Sequence, residues 1–367
     1  MTKTLIVDAR LLADGIGTYA CYLIAGFARH GNGFSLRAIV NQANVERVAP
    51  FCNSVVTAEA SMYSLREQLE IPWVSRGADL LHVPHYSAPL MYQGKLLVTI
   101  HDLIHITYPT FSRTAAAWIY ARPMLHLVAR KAAHIITVSE YSKGQIVERL
   151  RVPSSKVTVI HNAVGPHFRC LSSDEAFAEI PAGLSMRRPY ILYVGNLKPH
   201  KNVGTLIRAF ALLQKRKVSD HQLVVVGHSK KWKRSLEEEC SRLGVEEPVR
   251  FIPYVSEELL PKFYAAAEVV VLPSFVEGFG LPVIEAMACG TPVICSRAGS
   301  LPEVAGDAAE YFDPWSVEDL AAAIERVIGS SDLRARLRLK GLARAKDFSW
   351  DEFARQHYQV YRDVLRN

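Results

Sequence analysis

The chain has no CxxC pair. Its six cysteines (Cys21, Cys52, Cys170, Cys240, Cys289, Cys295) are scattered over 367 residues, which argues against a disulfide framework or a zinc site and for a reducing cytoplasm. No apolar run reaches the roughly 18 residues that a membrane span needs. There is no solenoid-type repeat and no low-complexity tract. Zinc fingers, RNP-type aromatic motifs and dense basic runs are absent, so no nucleic-acid partner is expected. The opening residues MTKTLIVDARLLADG place Asp8 inside a short apolar stretch and offer no small-residue cleavage site. They are expected to form a first strand rather than a secretion signal. That disfavours a two-domain sugar-binding protein of the periplasm.

What is present fits a packed globular protein. Apolar residues make up 49% of the chain, and its length predicts two domains rather than one core. The net charge of +7 is uneven. Residues 1–170 hold 17 Lys/Arg against 10 Asp/Glu, hence +7, while residues 171–367 hold 26 of each, hence zero. An excess confined to one half reads either as a solvated basic surface or as a face for an anionic partner or membrane.

Short β-branched runs alternate with amphipathic segments throughout. Strands are expected at 4–9, 36–40, 79–84, 96–102, 134–140 and 157–162, then at 190–196, 222–228, 249–255, 268–274 and 291–296. Their near-continuous apolar character suits parallel strands covered on both faces. Between them, NVGTLIRAFALLQKRK (202–217) puts Val203, Leu206, Ile207, Phe210 and Leu213 on one helical face. This alternation predicts an α/β protein of doubly wound sheets. The domains are expected at 1–171 and 190–349. The segment 172–189, with Pro181, Gly183 and Pro189, would join them.

Ligands of doubly wound folds bind beyond the carboxyl ends of the strands, so the residues that follow each strand matter most. After 4–9 comes DGIGTYA, where Gly15 and Gly17 admit close backbone approach and a helix start favours an anion. The same letters fit a loose dinucleotide fingerprint, but LRAIVNQAN ends in Asn41 without the acid that holds a ribose. An NAD-dependent oxidoreductase therefore loses ground, and a plain tight turn stays open. After 96–102 comes His101, either a hydrogen-bonded core histidine or a catalyst. After 190–196 comes NLKPHKN, which places Lys198, His200 and Lys201 ahead of a helix, as a phosphate site would. After 268–274 comes SFVEGFGLPVIEAMACGTP. Pro282 suits a first helical turn, so Phe279, Gly280 and Leu281 would offer amides to an oxyanion or phosphate. Glu277 and Glu285 flank that turn, placed to accept hydrogen bonds from sugar hydroxyls. Acids early in a helix also complement its dipole, which is the plainer alternative.

At these residues the chain resembles the family 4 retaining glycosyltransferases, which have the GT-B fold, and in particular bacterial polysaccharide mannosyltransferases. EGFGLPVIE matches that family's pattern of two glutamates separated by seven residues. DGIGTYA looks like its N-terminal glycine loop, IHDLIHITYP like its histidine segment, VGNLKPHKN like its diphosphate loop and GSLPEV like its C-terminal part. The resemblance implies two Rossmann-like domains facing a central cleft, with the helix 350–367 returning to the first. It implies that Glu285 holds the nucleotide ribose and that Glu277 and His101 contact the donor sugar. The amides of Phe279, Gly280 and Leu281 would meet sugar and phosphates. Lys201 would neutralise the diphosphate, against which Gly15 and Gly17 also lie. Asn196 stands where many members have arginine, so His200 or Lys198 would have to supply a second cation, or backbone amides would replace it. The implied reaction moves a hexose, best matched by mannose from GDP-mannose, to a hydroxyl of a glycan or lipid-linked acceptor with retention. It would need no cofactor and no metal, in keeping with the lack of an Asp-x-Asp pair. A nucleotide-sugar epimerase of similar fold is the nearest rival. The expected location is cytoplasmic, peripheral at the inner face of the membrane. There Arg113, Arg122, Arg130 and Lys131, mixed with Trp118, Tyr120, Leu125, Leu127 and Val128, would meet anionic lipid.

Overall fold

The computed structural model describes residues 2–12, 14–31, 33–108 and 115–366. They form two compact units, Met1–Ala163 with Ser349–Asn367, and Val164–Phe348. The strands of the first unit are β1 (Lys3–Asp8), β2 (Phe34–Val40), β3 (Ser54–Thr57), β4 (Leu80–Val83), β5 (Lys95–Thr99), β6 (His134–Thr137) and β7 (Val157–Val159). Those of the second are β8 (Tyr190–Val194), β9 (Gln222–Val226), β10 (Val249–Ile252), β11 (Val269–Leu272), β12 (Val293–Ser296) and β13 (Ala309–Phe312). Six helices enter the argument: α1 (Asp14–His30), α2 (Glu67–Val74), α3 (Ala115–Lys131), α4 (Val203–Lys215), α5 (Leu281–Ala288) and α6 (Trp350–Arg366).

Every strand pair in both sheets is parallel. The orders are β3-β2-β1-β4-β5-β6-β7 and β10-β9-β8-β11-β12-β13. Each sheet therefore reverses its winding once, between β1 and β4 in the first unit and between β8 and β11 in the second. A crevice opens at such a switch point, beyond the carboxyl ends of the two central strands. The central strands β4, β9, β11 and β12 are buried along their whole length. That is what their unbroken Val/Ile/Leu runs require.

The eleven expected strands are present, and two more join them. SVVT (β3) and AEYF (β13) are edge strands with half-buried or exposed positions. Both are only four residues long and carry polar Ser54, Thr57 and Glu310, so their apolar signal is short. In α4 the expected face is the buried one: Val203, Leu206, Ile207, Phe210 and Leu213 all lie in the second unit's core.

Two expectations need adjustment. Residues 172–189 are not a bare connection. Ser173–Ala178 is helical, packs on Leu260–Ala266 and belongs to the second unit. In α3, Leu125 and Val128 sit in the first unit's core, so they are not surface apolar groups beside Arg122 and Arg130. Pro123 lies inside α3 without ending it. Arg113 falls outside the described residues, as do the side chains of Trp118 and Tyr120. The helix α6 packs along α1 within the first unit.

Candidate active site

The second unit's switch point is where the structure gathers most of the expected residues. The loop after β8 carries Asn196, Lys198, His200 and Lys201. The loop after β11 carries Ser274 and Glu277. Two sets of bonds join these loops. The Phe275 amide donates to the His200 carbonyl at 2.8 Å. Asn202, held at φ 58°, donates its side-chain amide to the carbonyls of Pro273 and Pro314, both at 2.9 Å. Thr205 locks the other end of that amide by donating to its oxygen at 2.7 Å.

With the loops joined, Lys201 Nζ lies 2.8 Å from both carboxylate oxygens of Glu277. Ser274 Oγ donates to Oε1 at 2.6 Å. The pair is largely shielded from water, with the Lys201 and Glu277 side chains 18% and 8% exposed. Burial by itself pushes the Glu277 carboxyl up. The Lys201 charge and the bonds from Lys201 and Ser274 outweigh it and hold the group below its ordinary range. An ammonium has three donors, and Glu277 engages it with two oxygens. Lys201 is thus engaged by Glu277 through both carboxylate oxygens.

The turn behind Glu277 is fixed by glycine. A Cβ on Gly299 would lie 2.7 Å from the amide nitrogen and the oxygen of Glu277, and Gly299 itself sits at φ +60°. This contact lets Ser300 reach under the turn. Its amide donates to the Glu277 carbonyl, and its hydroxyl shares a proton between the carbonyls of Glu277 and Phe279. Gly280 caps α5 at φ +98°, where a Cβ would strike Leu301 at 2.6 Å. Pro282 lies in the first turn. The Phe279 ring is buried against Phe348, so its backbone is the part of Phe279 that the turn presents. Glu285, one turn along, accepts from Tyr264 Oη at 2.8 Å. Burial pushes its carboxyl up to about 7.

Asn196 has a local role: its side-chain oxygen accepts from the Lys198 amide at 3.2 Å and shapes the loop. His200 is buried. Ser274, Tyr264, Gly299 and Ser300 join the candidates through the structure. Ser300 lies in GSLPEV, where its sequence context marked it. Tyr264 carries no such signal, because its bond to Glu285 spans 21 positions of chain.

The first unit holds the remaining candidates. The helix α1 begins at Asp14, so Gly15 and Gly17 lie in its first turn and not ahead of it. A Cβ on Gly17 would sit 2.2 Å from the Leu12 carbonyl carbon, which leaves glycine as the residue that fits. His101 Nε2 donates to the Pro84 carbonyl at 3.1 Å. That bond places the proton on Nε2 and the lone pair on Nδ1. Ser142 donates to the His101 carbonyl at 3.0 Å, and the Tyr19 ring meets the imidazole edge-on at 4.9 Å. Burial pulls the His101 pKa down, so the ring is neutral at pH 7. Among the described residues, no three His, Cys, Asp or Glu side chains converge as metal ligands would, and no helix is long and apolar enough to cross a membrane.

The ion pair yields a stability test. Lys201→Ala strands the Glu277 carboxylate in a water-poor site, a loss of about 3–5 kcal/mol in urea unfolding at neutral pH. The double variant Lys201→Ala/Glu277→Gln should recover most of it. Equal stability of the single variant and the parent would mean that the pair is open to solvent.

Comparison with known proteins agrees with this architecture. The family model for glycosyl transferases group 1 matches residues 176–344, and that for glycosyltransferase family 4 matches residues 13–168. The O-antigen chain mannosyltransferase B of Escherichia coli is 32% identical over 284 residues, covering 77% of this chain and 74% of that protein. Other curated relatives at 30–32% identity are spanned over 52% to 69% of their own length. Among solved structures, the sucrose-phosphate synthase of Thermosynechococcus elongatus superposes with a TM-score of 0.81 at 23% identity, over 99% of both chains. Anabaena HepE in complex with UDP and glucose gives 0.80 at 18% identity, over 98% of this chain and all of that one. With parallel sheets in both units, the glutamates set about a glycine turn and one family model on each half, the chain belongs to the family 4 (group 1) glycosyltransferases of GT-B fold.

Proposed function

We propose that the protein transfers a mannosyl residue from GDP-mannose to a hydroxyl of a glycan or lipid-linked acceptor, with retention of anomeric configuration and without a metal ion. The observation that carries this reading is the set of groups about Glu277 and α5: a carboxylate held ionised by Lys201, a glycine turn opening a helix, and Glu285 one turn along. A nucleotide diphosphate sugar needs such a set. Glu285 accepts from the ribose, Glu277 accepts from the sugar hydroxyls, and Lys201 with the helix-start amides meets the diphosphate. Charge grows on that diphosphate as the glycosidic bond breaks, so fixed donors aimed at it lower the barrier more than they tighten ground-state binding. His101 offers a neutral acceptor nitrogen for a sugar hydroxyl. The mannosyl choice rests on the O-antigen mannosyltransferase relative. HepE was solved with UDP and glucose, so the nucleotide is the part most open to test.

The measurement is product analysis with labelled GDP-mannose and UDP-glucose, each with EDTA or manganese. Mannose transferred with retained configuration in EDTA is the expected result. Transfer from UDP-glucose alone would move the donor assignment, and a strict need for manganese would remove the metal-free route.

The raised pKa of Glu285 gives this reading a pH signature. The acceptor form is the carboxylate, which is lost as pH falls through about 7. GDP-mannose affinity measured by calorimetry should therefore drop roughly tenfold between about pH 8 and about pH 6. In Glu285→Gln it should be low and flat. An unchanged profile in that variant would take Glu285 out of the donor site.

We also propose that the first unit docks on anionic membrane. Arg122 and Arg130 are exposed on α3 beside Leu127. Around α2, Leu65, Leu69 and Trp73 recur every four residues and are 89%, 68% and 63% exposed. Each cation near such a surface contributes about 1 kcal/mol at most and is screened by salt. Vesicle co-sedimentation should need anionic lipid, weaken with salt, and weaken further when Arg122, Arg130 and Lys131 become Ser. Equal sedimentation with neutral and anionic vesicles would point to a soluble acceptor.

A further inference from the structure

Behind His101 the first unit buries a continuous chain of hydrogen bonds that the site as described does not use. It begins at the Phe353 carbonyl on α6, 2.8 Å from His357 Nδ1. His357 Nε2 lies 2.6 Å from Tyr19 Oη, and Tyr19 Oη lies 3.0 Å from Thr99 Oγ1. Thr99 Oγ1 is 2.8 Å from His82 Nε2, and His82 Nδ1 is 2.7 Å from Tyr361 Oη, again on α6. His82, Thr99, His357 and Tyr361 are completely buried and Tyr19 nearly so.

The first link sets the direction of every other. A carbonyl only accepts, so His357 Nδ1 carries the proton. Burial keeps both imidazoles neutral, with His357 lowered to about 4 and His82 well below its usual range. His357 Nε2 therefore accepts, and Tyr19 donates to it. The Tyr19 oxygen accepts from Thr99, whose own oxygen accepts from His82 Nε2–H. His82 Nδ1 then accepts from Tyr361. With neutral rings no link can reverse alone, because each hydroxyl has one proton to give. A buried network in which every member is matched defines a single arrangement.

What the chain holds in place is the Tyr19 ring. His101, Phe353 and His357 meet it edge-on at 4.9, 5.2 and 5.5 Å. Tyr19 lies on α1 two residues past Gly17, and Thr99 two residues before His101. A single ring thus touches the imidazole expected to meet the sugar and anchors the turn that carries the glycines. We propose that His357, on the C-terminal helix, is a positioning residue for sugar transfer, acting through Tyr19 to fix the His101 ring and the first turn of α1. This rests on the reading of His101 as a donor-sugar contact, and it assigns the last helix of the chain a part in the reaction that its distance in sequence conceals.

The test uses the full chain and four variants. His357→Leu keeps the bulk and removes the acceptor. His357→Gln restores an acceptor. Thr99→Val breaks the chain at its middle without changing its shape. His101→Ala reports on the underlying reading. Turnover is followed with whichever of GDP-mannose and UDP-glucose the parent uses. Ring nitrogen shifts from nuclear magnetic resonance of histidine-labelled protein supply a readout independent of turnover. We expect His357→Leu and Thr99→Val to lower kcat roughly ten- to a hundredfold, the scale of a displaced catalytic group, with donor KM changed less than threefold, on the order of one hydrogen bond. His357→Gln should regain most of the loss. In the parent, the shifts should place the proton on Nδ1 of His357 and on Nε2 of His82. If His357→Leu does not fold, Thr99→Val and the nitrogen shifts decide. A kcat within twofold of the parent in a folded His357→Leu or Thr99→Val variant overturns the proposal, as does a proton on Nε2 of His357. If His101→Ala also keeps full turnover, the reading of His101 itself is what has failed. If His101→Ala is inactive while His357→Leu is not, only the positioning role has.

Discussion

The contact between Lys201 and Glu277 is the constraint around which the second unit's site is arranged. Two opposite charges on different loops meet out of water, and each depends on the other. Burial alone would push the Glu277 carboxyl up. With Lys201 bonded to both of its oxygens, and with Ser274 as a third donor, it stays ionised. The cost of burying the pair is met only by such geometry, and such geometry needs two loops that do not drift. The bonds of Asn202, the Phe275 amide and Gly299 are what keep them still. The glycines at 280 and 299 belong to the same account, since a side chain at either would push the turn off its support.

The first unit solves a similar problem without charge. His101 is held at three points: through its Nε2–H, through its carbonyl and by the Tyr19 ring. Behind Tyr19 runs a neutral hydrogen-bond chain whose direction is set by one backbone carbonyl. An ion pair suits a group that must remain charged. A chain of neutral groups suits a group that must remain an acceptor, because burial already keeps the imidazole unprotonated.

Much of this was legible in the sequence, and the reasons differ by residue. Central strands such as QLVVV and VVVL declare themselves because a strand covered on both faces needs unbroken apolar character. SVVT (β3) and AEYF (β13) do not, because four-residue strands with polar Ser54, Thr57 and Glu310 carry too short an apolar run. Glu277, Gly280 and Glu285 were legible because the family pattern that contains them is compressed into nine consecutive residues. Tyr264 was not, because it acts on a partner 21 positions along the chain; Gly299, Ser300 and Tyr19 stand inside GSLPEV and DGIGTYA, but the distant partners they reach do not show there. Leu125 and Val128 face the core although Arg122 and Arg130 beside them are exposed, and mixed charge and apolarity in one segment does not say which side of a helix meets the core.

The class of fold, the places where strands end and the chemical types waiting at those ends can be read from the chain. These follow from local rules: period, turn residues and the demand of a buried strand for apolar side chains. Which of those ends meet is a matter of the folded arrangement. The pairing of Lys201 with Glu277, the reach of Ser300 under a turn 23 positions away and the bond from His357 to Tyr19 across 338 positions depend on strand order. Strand order is set by how whole sheets and helices bury their faces together, a sum over the entire core that no local stretch contains.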